Sequence, residues 1–166
     1  MSLSVYQVAI PTTVKILNNL QAILDKAEAH CTARKIDPSV LLNLRLYPDM
    51  FPLIRQVQIV TDQVKGMTAR LTDTPVPSYP DTEQTFEDLR ARIAKTIAFA
   101  QSHAPESFES GVSREIVLKF GPNELKFATG GEYLVGFVLP NFYFHVTAAY
   151  AILRHNGVEI GKRDFV

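Results

Sequence analysis

Residues 50–71 read MFPLIRQVQIVTDQVKGMTARL. Met50, Leu53, Val57, Val60, Val64, Met67 and Leu71 fall at alternating steps of three and four. On a helix those steps align the apolar side chains in one seam, the pattern of helices packed at a small angle in a bundle. Asp49 and Pro52 suit the first turn of such a helix. A carboxylate there meets the positive end of the dipole, and a residue without an N–H loses no bond.

A helix with one seam needs partners, and the flanking sequence supplies them. Upstream, Val5, Ala9, Ile16, Leu20, Ile23 and Ala27 mark the buried face of a helix from about Ser4 to Ala29, with Pro11 expected to kink it or roughen its start. Asp37-Pro38 reads as a cap and first-turn proline for a short helix over Val40–Leu44. Downstream, Thr72 to Pro80 holds three prolines and reads as an extended loop. Asp81, with Gln84 three residues on, is expected to cap a third long helix. Its inner stripe is Phe86, Leu89, Ile93, Ile97 and Ala100, and it ends near His103.

From Arg114 to Phe127 the period changes from helical to alternating. Ile116, Leu118 and Phe120, the turn Gly121-Pro122-Asn123, then Leu125 and Phe127 predict a β-hairpin with one apolar face. Gly130-Gly131 ends it. Tyr133 to Gly157, YLVGFVLPNFYFHVTAAYAILRHNG, forms the last helix, closed by Asn156-Gly157. The expected fold is all-α: one domain over residues 1–166, a four-helix bundle with a long crossover connection and a short hairpin before the last helix.

Composition narrows the function. Lys plus Arg number 17 and Asp plus Glu 17, which removes the basic footprint of a general nucleic-acid binder. The lone cysteine, Cys31, excludes an internal disulfide and zinc-finger spacing. The N-terminal stretch lacks the basic start and apolar core of a signal peptide, so a cytoplasmic, reducing setting is expected. The last helix is long enough to span a bilayer, but Pro140, Asn141 and His145 near its middle favour a bundle core over a membrane span.

No GxSxG, HExxH, P-loop or GxGxxG motif is present. His145 is the one ionisable group in the last helix before Arg154, and Asn141 lies one turn earlier. Asp49, Gln56 and Gln63, each just before a seam residue, form a polar stripe that could face His145 across a cavity. Asp49, Gln56, Asn141 and His145 are therefore the candidate ligand-binding set. A histidine in such a place is also a common satisfied core residue.

Three phrases carry a resemblance: RLYPDMFPLIRQV at 45–57, DTEQTFEDL at 81–89 and LPNFYFHVTAAYAILRHNGVEIGKRDF at 139–165. They resemble the DinB/YfiT superfamily of four-helix bundles, in an uncharacterised bacterial branch. The resemblance implies an up-down-down-up bundle and a homodimer. It also implies a divalent metal held by three histidines, one on the second long helix and two spaced by four on the last, with thiol-dependent transferase or metal-dependent hydrolase activity in some relatives. Residues 49–71 contain no histidine, and the four-residue neighbours of His145 are Asn141 and Ala149. Only His145 carries over as a metal-ligand position, and its oxygen-rich companions would hold a divalent ion weakly. Two functions follow as expectations. One is a small-molecule binder or enzyme, of transferase or hydrolase type, with its pocket between the second and last long helices. The other is a non-catalytic dimeric bundle that has lost the superfamily's metal site.

Overall fold

The computed structural model describes residues 3–166. Helix α1, Val5–Arg34, starts at a reciprocal cap between Ser4 and Gln7 and ends at Lys35, whose φ of 57° is left-handed. It runs five residues beyond the expected end because Cys31 extends the buried stripe by one more turn. Pro11 lies inside it on the exposed side, and the helix is assigned without a break. Helix α2, Pro38–Leu42, is capped by Asp37 through the Ser39 amide at 2.9 Å.

Helix α3, Leu53–Thr72, begins three residues later than the apolar spacing suggests, with Pro52 at its N-cap. The residue before a proline is driven out of helical geometry, so Phe51 cannot belong to the helix. Met50 and Asp49 consequently lie in the turn ahead of it, and Met50 is the one seam residue left partly exposed. The other six are fully buried.

Helix α4, Phe86–Gln101, is capped by Thr85 and Asp88, each satisfying the other's backbone, and not by Asp81 and Gln84. Two overlapping capping patterns exist in the sequence; the one adjoining the first buried side chain, Phe86, forms. A 3₁₀ segment, Pro105–Gly111, leads to strands β1, Ile116–Phe120, and β2, Asn123–Phe127. They pair antiparallel with Leu118 opposite Leu125 and Phe120 opposite Asn123. Asn123 is thus a strand residue, and Gly121, at φ +59°, takes the left-handed loop position.

The last long helix is continuous from Gly130 to His155 but not uniform. It comprises α5, Gly130–Tyr133, a π-helical segment, Leu134–Val138, and α6, Leu139–His155. Pro140 cannot donate to the carbonyl four residues before it, that of Gly136, and the widened turn sits where that bond is missing. A short helix α7, Lys162–Phe165, folds back onto α1 through Lys26–Asp164 at 2.6 Å and Asn19 Nδ2 to the Phe165 carbonyl at 3.1 Å.

Side-chain meetings fix the directions. Gly157, just past α6, approaches His30 near the end of α1, so these two helices run the same way. The last turn of α3 at Leu71 packs against Gly130, where the final helix starts, so α3 is antiparallel to it. Gln58 and Thr61, early in α3, meet Glu83 and Arg92 at the start of α4, so α3 and α4 are parallel. The bundle is up-down-down-up, as expected. The crossover that this order demands joins the parallel pair α3 and α4 and is made by the proline-rich segment 73–85; the 3₁₀ segment and hairpin lie in the connection between α4 and the antiparallel last helix.

Candidate functional site

The late start of α3 shapes the site. Because Phe51 stands outside the helix, its carbonyl is free to accept from a side chain. Gln56 supplies that donor: Nε2 reaches the Phe51 carbonyl at 3.0 Å. The amide orientation is thereby set, and Gln56 Oε1 faces across to α6, where it meets His145 Nδ1 at 2.6 Å. An amide oxygen only accepts, so Nδ1 carries the proton and Nε2 holds the lone pair.

Gln56 is 1% exposed and His145 9%. Nε2 has no protein partner among the described residues and is not among the buried unpartnered atoms, so it lies on the ring edge that reaches solvent. Burial pushes the His145 pKa below its ordinary value, and the charge of Arg55 pushes it the same way. The imidazole is therefore held neutral, with one open hydrogen-bond acceptor.

One aromatic side chain borders the imidazole. The Phe144 ring, 58% exposed, stands edge-on to it with centroids 5.1 Å apart, while the exposed Phe51 ring lies against Arg55, whose guanidinium carbon is 6.0 Å from its centroid. On Phe144 an apolar groove of about 390 Å³ runs between the 46–50 segment and α6, with Leu46, Met50, Pro140, Tyr143 and Phe144 among its walls.

Of the four candidate residues the structure joins two, Gln56 and His145. Asp49 is exposed in the turn before α3 and makes no hydrogen bond to either. Asn141 shares a helix with His145, but its Nδ2 donates to the Phe137 carbonyl at 2.8 Å, inside the same helix. Gln63 lines a different cavity, beside Arg70 and Tyr133 under the hairpin.

A family model described as a domain of unknown function, DUF1993, matches residues 5–166. The chain belongs to the DUF1993 family. The crystal structure of a DinB family member protein from Shewanella denitrificans matches with 42% identity and a TM-score of 0.86, over 96% of this chain and 90% of that one. No curated protein matches the chain.

As a DinB-like fold, this DUF1993 domain can be tested for the three-histidine metal centre. Its residues do not fit. Among the described residues no three His, Cys, Asp or Glu side chains converge. The nearest oxygen, Gln56 Oε1, is occupied by the imidazole N–H, and Asn141 turns its amide nitrogen into its own helix.

A second polar centre in the DUF1993 chain lies outside the four candidate residues. Arg92, with a side chain 2% exposed, donates from Nε to Thr61 Oγ1 at 2.7 Å, from Nη2 to Asp62 at 2.8 Å and from Nη1 to Glu83 at 3.0 Å and the Pro80 carbonyl at 3.1 Å. Glu83 also accepts from Gln58, and Gln58 from Arg55, which pairs with Asp81. The network fastens the proline-rich loop to α3 and α4 and holds Arg55, whose charge acts on His145. Its sequence signal is Leu89, Arg92, Ile93 and Thr96 at core spacing: a cation on a buried stripe requires buried acceptors.

Proposed function

We propose that this DUF1993 protein binds a small molecule, without a metal, at the junction of α3 and α6. The observation that supports it is the Phe51–Gln56–His145 chain, which presents one neutral acceptor nitrogen on a ring bordered by the exposed Phe144. A ligand with an apolar body and one hydrogen-bond donor matches that chemistry: the donor reaches Nε2 and the body covers Phe144. Among the described residues no nucleophile or acid is hydrogen-bonded to the imidazole, so the reading is a binding site and not a hydrolase or transferase centre. Phenol serves as a probe. Titrated phenol is expected to shift the His145 Nε2 nitrogen resonance saturably, and Gln56→Leu, which frees the tautomer, to weaken the effect. A linear, unsaturable response, or the same response in His145→Leu from other resonances, would reject the site.

A second reading, the non-catalytic dimeric bundle, draws support from a different observation. The final helix carries no charged residue from Tyr133 to Leu153, yet 33% of its most apolar window is buried. A homodimer would cover part of the remainder. Light scattering at tens of micromolar, with a mass near twice 18.6 kDa, is the expected outcome.

A further inference from the structure

We propose that a second site, independent of His145, lies under the hairpin, where Arg70 and Tyr133 bind the carboxylate of a small monocarboxylic acid. The site is a cavity of about 180 Å³ between the later part of α3, strand β1 and the start of the final helix. Leu118, Phe120 and Phe137 form its apolar wall, on which the body of the acid rests.

A glycine sets the geometry. Glycine in a helix interior is poor compared with alanine, yet Gly66 stands buried in the middle of α3. A Cβ there would overlap Arg70 Nη1, one turn on, and come within 3.7 Å of Arg70 Cζ and 4.0 Å of Tyr133 Oη. Gly66 is thus the seat on which the Arg70 guanidinium lies back along its own helix. From that seat Nη1 donates to Tyr133 Oη at 3.3 Å. Arg70 Nε and Nη2 have no protein partner among the described residues and are not among the buried unpartnered atoms, so they reach solvent. Tyr133 is 1% exposed, and its ring packs with those of Phe127 and Phe137 at centroid distances of 5.4 and 6.1 Å. Its oxygen accepts from Arg70, and its own proton has no acceptor among the described residues. Burial raises its pKa against the opposing charge of Arg70, so the hydroxyl keeps that proton and can donate it to a ligand.

Charge selects the ligand. On the cavity wall, Asp62 is shared by Lys65 at 2.7 Å and Arg92 at 2.8 Å, and Lys119 pairs with Glu124 at 3.8 Å. Arg70 also borders a second depression, where Asp73 pairs with Arg114 at 3.4 Å and the exposed Glu115 makes no ion pair with Arg70. Among the described residues Arg70 therefore has no carboxylate of its own. A guanidinium with free N–H groups matches a planar carboxylate as a fork, and the Tyr133 hydroxyl adds a further donor. One uncancelled positive charge suits a monoanion; a phosphate dianion would bring a second charge without a partner. The volume is below the roughly 300–1,000 Å³ of clefts for drug-sized ligands, which limits the acid to the scale of a single ring.

Benzoate is the probe, titrated at constant ionic strength with the thermal midpoint as readout. Expected is a saturable rise in the wild type, with apparent affinity about tenfold weaker for benzamide, which keeps the shape without the charge, and for inorganic phosphate. Gly66→Ala is the decisive variant. Alanine favours the helix and displaces only the end of a flexible side chain, so the midpoint without benzoate should hold or rise while the response to benzoate disappears. Arg70→Gln should lose the response with the helix backbone unaltered, and it decides alone should Gly66→Ala not fold. Tyr133→Phe should weaken the response several-fold. His145→Leu should keep it, which separates this site from the one that phenol probes. An absent or unsaturable response in the wild type would overturn the proposal. So would an equal response to benzamide, or a full response in Arg70→Gln or in a folded Gly66→Ala. An equal response to phosphate would make the site a general anion site and overturn the assignment of a carboxylic acid.

Discussion

Both ends of the Gln56 amide are engaged at one junction, with the Phe51 carbonyl on one side and the His145 imidazole on the other. Removing the amide leaves the buried His145 N–H and the part-buried Phe51 carbonyl without their partner, a larger cost than the bonds alone. Gln56→Leu is therefore expected to lower stability by about 1–3 kcal/mol in urea titration. The imidazole also sets a pH dependence. Its pKa in the folded chain lies below the ordinary 6.5, through burial first and Arg55 second. As pH falls from 6.5 toward that lower value, the unfolded chain takes up a proton that the folded chain refuses, so stability drops in that interval and is unaffected above it. The urea midpoint should fall between about pH 7 and about pH 5 in the wild type, and less in His145→Leu, which keeps every other titrating group. His145 and Gln56 were legible because one is a lone ionisable group in an apolar run and the other stands beside a seam position. Asp49 and Asn141 were not. The proline at 52 moves the helix start past Asp49, and a side chain bonding back into its own helix leaves no trace in spacing.

Among the elements, α3 was the most legible, and its core spacing holds for six of seven seam residues. Val64 is fully buried, and an unpaired carboxylate there must remain protonated or disrupt packing. Val64→Asp is expected to unfold the protein, seen as loss of a cooperative thermal transition. Less legible was the length of the buried face. Gln58, Thr61, Lys65 and Thr68 are also buried, because α3 is covered by α4, by α6 and by the 3₁₀ segment together. An a/d pattern reports one contact line and not three. Arg92→Met tests the polar part of that cover. It would take the cation from the mostly buried Glu83, leaving it only the Gln58 donor, and leave Asp62 to Lys65 alone, at a cost of about 3 kcal/mol. Limited proteolysis should then cut the 73–85 loop, which the wild type protects.

For the molecule as a whole, element order, the hairpin and the up-down-down-up arrangement were all legible, the last through resemblance and not through periodicity. Periodicity shows which faces are buried but not which helices are neighbours. Closure of the bundle depends on a contact no pattern displays. Gly111, at the end of the 3₁₀ segment, lies directly on the Leu71 carbonyl, and Gly130 directly on that of Gly111. A Cβ at either place would overlap backbone, which cannot yield as a flexible side chain does. Gly111→Ala should cost several kcal/mol by separating the end of α3 from the start of the final helix, with a lowered thermal midpoint as the readout.

Cys31 is 1% exposed in the last turns of α1, and burial raises the pKa of its thiol. A lone, shielded, protonated sulfur is a clock for breathing motions. A thiol reagent can label it only when the end of α1 lifts away, so the labelling rate measures how often that end opens. Followed against denaturant, the rate would separate local fraying, which is insensitive to urea, from global unfolding, which is steeply sensitive. The native sequence thus carries its own single-site probe of opening dynamics at the end of α1.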